Sequence, residues 1–283
     1  MTEHDQLPSS QTAASNERVT KVAMDLIETV KDRLAANDVT HQEYRAAWAW
    51  LAKLASSGEL PLFLDVHFEA DVERITFEGK PGSEGTIQGP YHLDDHPVLE
   101  RPYRMPMRDD EPGQPFVFTG RVLDLDGRPV AGVTIDAWQA GNDGTYSGFV
   151  GDAPRGNLRG IMTTGDDGGF RFGSIRPAPY RIPYGGPTGE FLAMTGRHAW
   201  RPAHFHFILS KDGYDPLITQ IYFDGDRIIE GQGDIVGGVK DSLVITVGEG
   251  SDPEMAAAHG VTVPYQTGGY TFTLRPSTRR QSR

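Results

Sequence analysis

The sequence predicts a mainly β protein with an α-helical amino-terminal part, in which an antiparallel β-sandwich forms the core. The first observation is a change in the spacing of apolar residues, from three or four before about residue 116 to two after it. The second is a content of 34 glycines and 20 prolines in 283 residues, which suits many turns. We expect a disordered tail over 1–16, a helical dimerisation and linker domain over 17–115, and a β-sandwich domain over 116–283.

Helices are predicted for the amino-terminal part. Apolar residues recur at three- and four-residue steps over Val19–Leu34, which is the pattern of an amphipathic helix. Thr40 and Glu43 have capping-box spacing and would open a second helix, which Gly58 would end. Pro61 is expected to open a shorter segment. Because the apolar stripe of the first helix needs a partner, we expect it to build a homodimer interface.

Strands are predicted where apolar and polar residues alternate. Turn-forming pairs such as Asp126-Gly127 separate these runs. Several short strands with little helix between them are typical of a sandwich or barrel. The predicted strands cover residues 117–124, 130–138, 170–172, 204–209, 217–223, 242–247 and 270–274.

The composition excludes several classes of protein and site. Cysteine is absent, so disulfides, thiolate nucleophiles and cysteine-bound metal centres are excluded. The net charge of −12 argues against nucleic acid and anionic membranes as partners. No apolar run approaches the ~20 residues of a membrane helix, and residues 1–16 contain no hydrophobic signal segment. We therefore expect a cytoplasmic protein.

Two histidines have the spacing of a metal site. His204 and His206 lie two residues apart on a predicted strand, so their side chains would share one face. Phe205 and Phe207 would point to the opposite face. This is how a strand presents two imidazoles to one metal ion.

Two tyrosines upstream could complete that site. Tyr146 lies in a glycine-containing run and Tyr180 in a proline-rich run, although either could instead be a surface or packed aromatic residue. Coordination lowers the pKa of a phenol far below its free value of ~10, so phenolate suits a hard ion of high charge such as Fe³⁺. The oxygen-activating Fe²⁺ centres more often use two histidines and a carboxylate.

A series of motifs runs from Gly89 to about Val247. They are GPY (89–91), GRV (120–122), DAW (136–138), GTYS (144–147), PAPY (177–180), GPTG (186–189), GRH (196–198), RPAHFH (201–206) and TQI (219–221). In order and spacing they resemble those of the intradiol ring-cleavage dioxygenases, over more than half of the chain. The helical part resembles the dimerising domain of the catechol and hydroxyquinol branches, which in related enzymes also encloses a phospholipid.

The resemblance implies a mechanism and a set of site residues. One Fe³⁺ per subunit would be held by Tyr146, Tyr180, His204 and His206. Tyr180 would leave the metal when an aromatic diol or triol binds, and would help to take its proton. Arg201 would stabilise negative charge on the ring while O₂ reacts, and Gln220 would hydrogen-bond Arg201 or the ligands. The product would be a cis,cis-muconate or maleylacetate-type acid.

Substrate choice is expected to depend on a ring pocket. The resemblance locates it at Leu62, Asp65, Ile87, Gln88, Gly89, Pro90, Tyr91, Ile182, Pro183 and Val236. The hydroxyquinol branch has an acid at the position of Asp65, which could accept a hydrogen bond from a third ring hydroxyl, or could simply cap the 61–68 segment. Gln88 and Tyr91 make this pocket more polar than usual. We expect hydroxyquinol or a substituted catechol, with catechol or chlorocatechol as the alternative.

Two other classes of function fit parts of the pattern. The run over Val122–Gly132 also occurs in non-enzymatic transthyretin-like binding modules. His204 and His206 could serve a zinc hydrolase together with a carboxylate. Iron content and a visible tyrosinate-to-iron absorption band would distinguish the three.

Overall fold

A computed structural model of the chain describes residues 10–149 and 151–277. The chain forms two compact units that divide between Ser56 and Ser57. The first unit contains α1 (Ser10–Ala36) and α2 (His41–Ser56). Residues 10–16 are helical where a disordered tail was expected, because no glycine or proline interrupts the sequence between 10 and 36. The first nine residues lie outside the described part.

The predicted capping box at the start of α2 is confirmed. The backbone N–H of Thr40 donates to the Glu43 carboxylate at 2.8 Å, and the backbone N–H of Glu43 donates to the Thr40 hydroxyl at 3.3 Å. Gly58 follows the helix in the left-handed conformation, with φ +78°. The sequence-based account of this helix and its ends is therefore correct.

The second unit begins with three short helical segments. They are α3 (Leu60–Leu64), a π-helical turn (Asp65–Glu69) and α4 (Ala70–Phe77). Pro61 stands in the first turn of α3, as predicted. These segments belong with the strands, so the two units divide earlier than the expected boundary at 115/116. The reason is packing: Val66 of the π turn is buried in one apolar cluster with Trp138.

The remainder of the second unit is a β-sandwich with a small ribbon and short helices. The strands are β1 (Tyr103–Arg104), β2 (Pro115–Leu123), β3 (Thr134–Gln139), β4 (Arg159–Thr163), β5 (Gly169–Ile175), β6 (Tyr180–Arg181), β7 (Trp200–Arg201), β8 (His204–Ser210), β9 (Leu217–Phe223), β10 (Val244–Ile245), β11 (Gly248–Gly250) and β12 (Tyr265–Thr273). The helices are α5 (Pro187–Met194), α6 (Arg227–Glu230) and α7 (Pro253–His259), with a 3₁₀ turn at Asp241–Leu243. One sheet has the order β1-β5-β2-β12-β11, the other β10-β9-β8-β3-β4, and β6 pairs with β7.

The sandwich is confirmed, but its sheets are mixed rather than purely antiparallel. Strands β1 and β5, β9 and β10, and β2 and β12 pair in parallel. Two predicted strands are also shorter than expected. Gly132, with φ +63°, delays β3 until Thr134, and the 3₁₀ turn takes up the start of the strand expected at 242–247. Within the described residues, no helix has the length and hydropathy needed to span a bilayer.

The core between the sheets fixes the orientation of β8. Phe205 lies 5.6 Å from Phe116 of the opposite sheet, and Phe207 lies 5.1 Å from Phe118, measured between ring centroids. All four rings are fully buried. Because successive side chains of a strand alternate, a shift of one residue would expose both phenylalanines of β8. The burial of these two phenylalanines therefore holds His204 and His206 on the opposite face of the sheet.

Candidate active site

The two histidines of β8 point to a common position, as predicted. Their Nε2 atoms are 3.0 Å apart, and both side chains are buried. The Nδ1–H of His204 donates to the Pro202 carbonyl at 2.8 Å, and the His206 ring donates to the Gln88 carbonyl. A neutral imidazole carries one N–H and one lone pair, so each ring keeps a lone pair free for a ligand.

The surroundings also keep both rings neutral. Burial and then the nearby Arg201 lower the pKa of His204 well below its ordinary value. Burial and then His204 do the same to the pKa of His206. Neutral imidazole is the form that binds metals.

The two tyrosines reach the same position. The Tyr146 hydroxyl lies 2.8 Å from His206 Nε2 and 3.4 Å from His204 Nε2. The ring of Tyr180 lies 5.3 Å from that of Tyr146 and nearly perpendicular to it. Tyr180 belongs to β6 and pairs with Arg201, whereas a loop was expected. The structure thus brings all four predicted ligands together.

The chemistry of these donors fits a small, highly charged metal ion. Burial raises the pKa of the Tyr146 phenol well above its ordinary value, so its phenolate form requires a positive charge in contact with it. The nitrogen lone pairs face each other at 3.0 Å in a dry site, which is costly unless a proton or a cation lies between them. Nitrogen and phenolate oxygen donors suit a transition metal.

Neighbouring strands support His206 through cross-strand pairs. Trp138 of β3 and Gln220 of β9 stand opposite His206 in the register of the sheet. The Trp138 ring stacks on the imidazole, with centroids 4.6 Å apart and planes 9° from parallel. Gln220 donates to the Ile87 carbonyl at 2.8 Å. Trp138 lies in a predicted motif, but sequence reasoning gave it no role, since only the strand pairing brings it to the histidine.

Arg201 is a buried cation beside Tyr180. Its Nη1 lies 3.4 Å from the Tyr180 hydroxyl, and its Nη2 donates to Gln220 Oε1 at 2.8 Å. Burial opposes the charge, but Asp234 and neighbouring tyrosines hold the pKa of Arg201 well above its ordinary value. Asp234 was not predicted. The signal in the sequence that could have identified Asp234 is a single acid in the glycine-rich run 231–238.

Part of the predicted ring pocket lies in one apolar cluster with both tyrosines. Tyr91 stacks on Tyr146, with centroids 4.4 Å apart, and burial, followed by Tyr180, raises the pKa of Tyr91 to about 12. A Cβ on Gly89 would lie 3.6 Å from His206 Cε1, so this glycine borders the site. The predicted pocket residues in the cluster are Leu62, Ile87, Tyr91, Ile182 and Val236.

The two prolines of the predicted pocket are placed differently. Pro90 and Pro183 are exposed and lie outside the apolar cluster. Each follows a residue that lies near the two tyrosines, namely Gly89 and Ile182. The structure gives these two side chains no contact with the four ligands.

Two acids of the π turn lie near the segment that borders His206. Burial raises the pKa of Asp65, and burial, then Asp65, raises the pKa of Glu69 to about 7. The Gln88 backbone, which borders the pocket, hydrogen-bonds the Glu69 carboxylate. Glu69 Oε2 is buried without a hydrogen-bond partner. Glu69 was not among the predicted site residues.

Among the described residues, His92, His96 and Asp136 form a second group with metal-binding potential. Arg159 Nη1 donates to His96 Nε2 at 3.1 Å, so His96 Nδ1 carries the proton and donates to Asp136. His92 Nε2 lies 2.9 Å from the same carboxylate. The group is thus saturated by its own hydrogen bonds. It packs against Trp138, which stacks on His206.

Comparison with known proteins identifies the class. The family model described as Dioxygenase matches residues 87–275, and Catechol dioxygenase N terminus matches 16–83. Chlorocatechol 1,2-dioxygenase from Rhodococcus opacus is 39% identical over 236 residues, covering 82% of this chain and 91% of that protein. The crystal structure of 3-chlorocatechol 1,2-dioxygenase from Rhodococcus opacus 1CP superimposes with a TM-score of 0.85, at 38% identity, covering 93% of this chain and 100% of that one.

Hydroxyquinol 1,2-dioxygenase from Pseudomonas putida DLL-E4 is also similar, with a TM-score of 0.84 and 32% identity, covering 92% of this chain and 93% of that one. The chain therefore belongs to the intradiol dioxygenase family, in its catechol and hydroxyquinol branch. It is an enzyme, and the resemblance drawn from the motifs is confirmed. The alternatives of a binding module and a zinc hydrolase are not supported. Family membership together with the metal-capable donors indicates a bound metal.

Proposed function

We propose that this enzyme uses O₂ to open the ring of hydroxyquinol or a similarly polar catechol between its two neighbouring hydroxyl-bearing carbons. The product is a cis,cis-muconate or maleylacetate-type acid. One Fe³⁺ per subunit is held by Tyr146, Tyr180, His204 and His206. The convergence of two imidazole nitrogens and a phenol oxygen within 3.4 Å carries the proposal.

Iron, when bound, would supply Lewis acidity, which lowers the pKa of the diol hydroxyls and makes the ring reactive towards O₂. The chain supplies the rest. Tyr180, in its phenolate form, would take a substrate proton, and Arg201 Nη1 lies 3.4 Å from its oxygen. Arg201 stabilises negative charge on the ring and on the oxygen that leaves it, because it is a fixed cation in a dry site. Gln220 accepts a hydrogen bond from Arg201 Nη2 at 2.8 Å.

The apolar cluster around the tyrosines has two roles. Ile87, Ile182 and Val236 are buried with Tyr146 and leave little room for water. Exclusion of water strengthens the interaction of Arg201 with the developing charge. The same flat, apolar walls suit an aromatic ring.

The substituent on the ring is proposed from the π turn. The Glu69 carboxylate interacts with Asp65 and accepts a hydrogen bond from the Gln88 backbone, which supports a polar side of the proposed pocket there. A carboxyl group can accept a hydrogen bond from a third ring hydroxyl, and chlorine cannot donate one. Chlorocatechol is the second candidate, because the Rhodococcus opacus chlorocatechol 1,2-dioxygenase matches over 91% of its length. The acids favour the triol.

The experiment combines metal analysis, visible spectroscopy and O₂ uptake on hydroxyquinol, catechol and chlorocatechol. We expect one iron per subunit, a tyrosinate-to-iron band and the highest kcat/KM for hydroxyquinol. A colourless, iron-free protein from iron-replete cells would contradict the proposal.

Asp65→Ala should lower kcat/KM on hydroxyquinol about tenfold relative to catechol, as expected for one lost hydrogen bond. Asp71→Ala, which removes an exposed acid of α4, is the control, and an equal loss on all substrates for Asp65→Ala would refute the specificity role.

We also propose a cytoplasmic homodimer formed through the amino-terminal helices, with room for a phospholipid between apolar faces. Its support is the exposed stripe of α1, where Val19, Leu26 and Val30 are each more than half exposed. Tyr44, Trp48 and Leu51 of α2 are likewise exposed.

A further inference from the structure

We propose that Asp234 is the residue that positions Arg201, and that it couples this arginine to the wall of the ring pocket. The inference rests on the proposed function, because Arg201 acts on the ring there. Asp234 makes its side-chain hydrogen bonds to Arg201 and to two backbone N–H groups, and none to the four proposed metal ligands, so we infer that it acts through Arg201.

The Asp234 carboxylate accepts two hydrogen bonds from one edge of the Arg201 guanidinium. Arg201 Nε donates to Oδ1 at 3.1 Å, and Nη2 donates to Oδ2 at 3.0 Å. The side chains of both residues are almost completely buried, at 2% and 1% exposure. Two parallel hydrogen bonds between a carboxylate and a guanidinium fix the plane of the arginine as well as its position.

This pairing determines which nitrogen of Arg201 faces the proposed metal ligands. The Nη2 atom is also occupied by Gln220 Oε1 at 2.8 Å and the Tyr222 hydroxyl at 3.3 Å. The Nη1 atom remains, and it lies 3.4 Å from both the Tyr180 hydroxyl and His204 Nε2. Because its other edge is fixed, the guanidinium directs its Nη1 amino group towards Tyr180 and His204.

The same carboxylate organises the loop that follows it. The backbone N–H groups of Val236 and Gly238 donate to Asp234 at 3.3 and 3.1 Å. A Cβ on Gly238 would lie 3.2 Å from Arg201 Nη2, so glycine permits this close approach. Val236 is part of the apolar wall proposed to contact the ring. A ring that displaces this wall therefore acts on the carboxylate that holds the arginine.

The test is Asp234→Asn in the iron-loaded enzyme. The amide keeps the shape but removes the charge and one acceptor, so the arginine loses its fixed plane. We expect kcat to fall about 30-fold, with KM changed less than about threefold and iron content preserved, since placement of a catalytic group affects mainly kcat. The visible band should shift, because the contact of Arg201 with Tyr180 changes.

Asp226→Asn is the matched control. Asp226 is equally buried, and its carboxylate accepts N–H groups of Ala203 at 2.9 Å and Ile228 at 2.8 Å. It makes no hydrogen bond to Arg201. We expect its kcat to stay within about twofold of wild type, even where its stability falls by an amount typical of a lost cap.

A double-mutant cycle gives a readout that needs neither iron nor turnover. If Asp234 acts through Arg201, Asp234→Asn should lower the Tm of the metal-free protein by more in the wild-type background than in Arg201→Gln, where only its hydrogen bonds to the N–H groups of Val236 and Gly238 remain to be weakened. The double variant removes both charges, so it avoids a buried unpaired cation if Asp234→Asn alone folds poorly.

The proposal is overturned if folded, iron-loaded Asp234→Asn keeps wild-type kcat, KM and spectrum. It is also overturned if Asp234→Asn lowers Tm equally in both backgrounds. A wild-type enzyme that binds iron but opens no ring refutes the proposed function alone, because the Tm cycle and the band shift still test Asp234.

Discussion

The two histidines of β8 are suited to metal binding by the backbone around them. His204 donates to the Pro202 carbonyl, which assigns its proton to Nδ1, and burial holds its pKa well below the ordinary value. At neutral pH, a metal ion does not have to compete with a proton for an imidazole of this kind. Arg201 has the complementary property, since its neighbours keep it charged. Single residues thus have their protonation states set before substrate binds.

Tyr180→Phe separates metal binding from turnover. The variant loses the hydroxyl that lies beside Arg201 Nη1. We expect kcat to fall about 100-fold, since a proton acceptor is lost, while most of the iron stays with Tyr146 and the two histidines. O₂ uptake and metal analysis on the same sample measure both quantities. Tyr184→Phe, at an exposed position nearby, is the control, and complete loss of iron from Tyr180→Phe would exclude a displaceable ligand.

Glu69 gives the folded enzyme a pH dependence. Burial and then Asp65 raise its pKa from 4.5 to about 7. Between these values the folded state holds a proton that the unfolded chain has released, so the free energy of unfolding decreases as pH rises through this window. Glu69→Gln cannot ionise. We expect it to be about 1 kcal/mol more stable than wild type at pH 8, after allowance for partial exposure, and unchanged at pH 4. Urea unfolding at both pH values measures this, and an equal difference at both would count against it.

Sequence reasoning identified the residues whose relation is local. His204 and His206 share a face because of strand alternation, and no tertiary information is needed for that. Asp234 is different: it meets Arg201 only because a loop folds back across the sheet. Family resemblance supplied Tyr146 and Tyr180, whose local sequence allowed other roles. Contacts between distant segments are therefore what the sequence alone did not predict.

The same division holds for whole elements. Helix α2 was predicted with its cap and its stop, since both signals lie within a few residues of its ends. The parallel pairing of β2 with β12 was not predicted, because alternation identifies the buried face of a strand and not its partner. The segments from α3 to α4 were assigned to the wrong side of the division for the same reason, as their apolar contacts lie on distant strands.

Close packing of β5 against α7 depends on Gly173. A Cβ at this position would lie 2.0 Å from the backbone oxygen of His259. Backbone cannot move as easily as a side chain, so we expect Gly173→Ala to lower the free energy of unfolding by about 2 to 3 kcal/mol. Gly185→Ala is the control, because a Cβ there would meet no atom within 4 Å. Urea denaturation compares the two, and equal stability would disprove the steric argument.

For the whole molecule, the exposed stripe of α1 predicts the oligomeric state. Leu26 and Val30 are 62% and 56% exposed, which is unusual for apolar residues on one helix face. We expect Leu26→Glu to convert a homodimer into a monomer, as measured by light scattering after size exclusion. Lys21→Glu adds negative charge on the opposite face, where Lys21 pairs with Asp25, and should leave the dimer intact. A wild-type monomer at micromolar concentration would contradict the prediction.

Strand β8 has phenylalanines of the interior on one face and the histidines on the other. The visible absorption of the proposed iron site would therefore depend on packing in the interior. Phe207→Leu, far from solvent, is expected to alter the colour of the protein before it alters its secondary structure. Selection for a given absorption would then also act on the hydrophobic core, and a library of core variants could be sorted by eye.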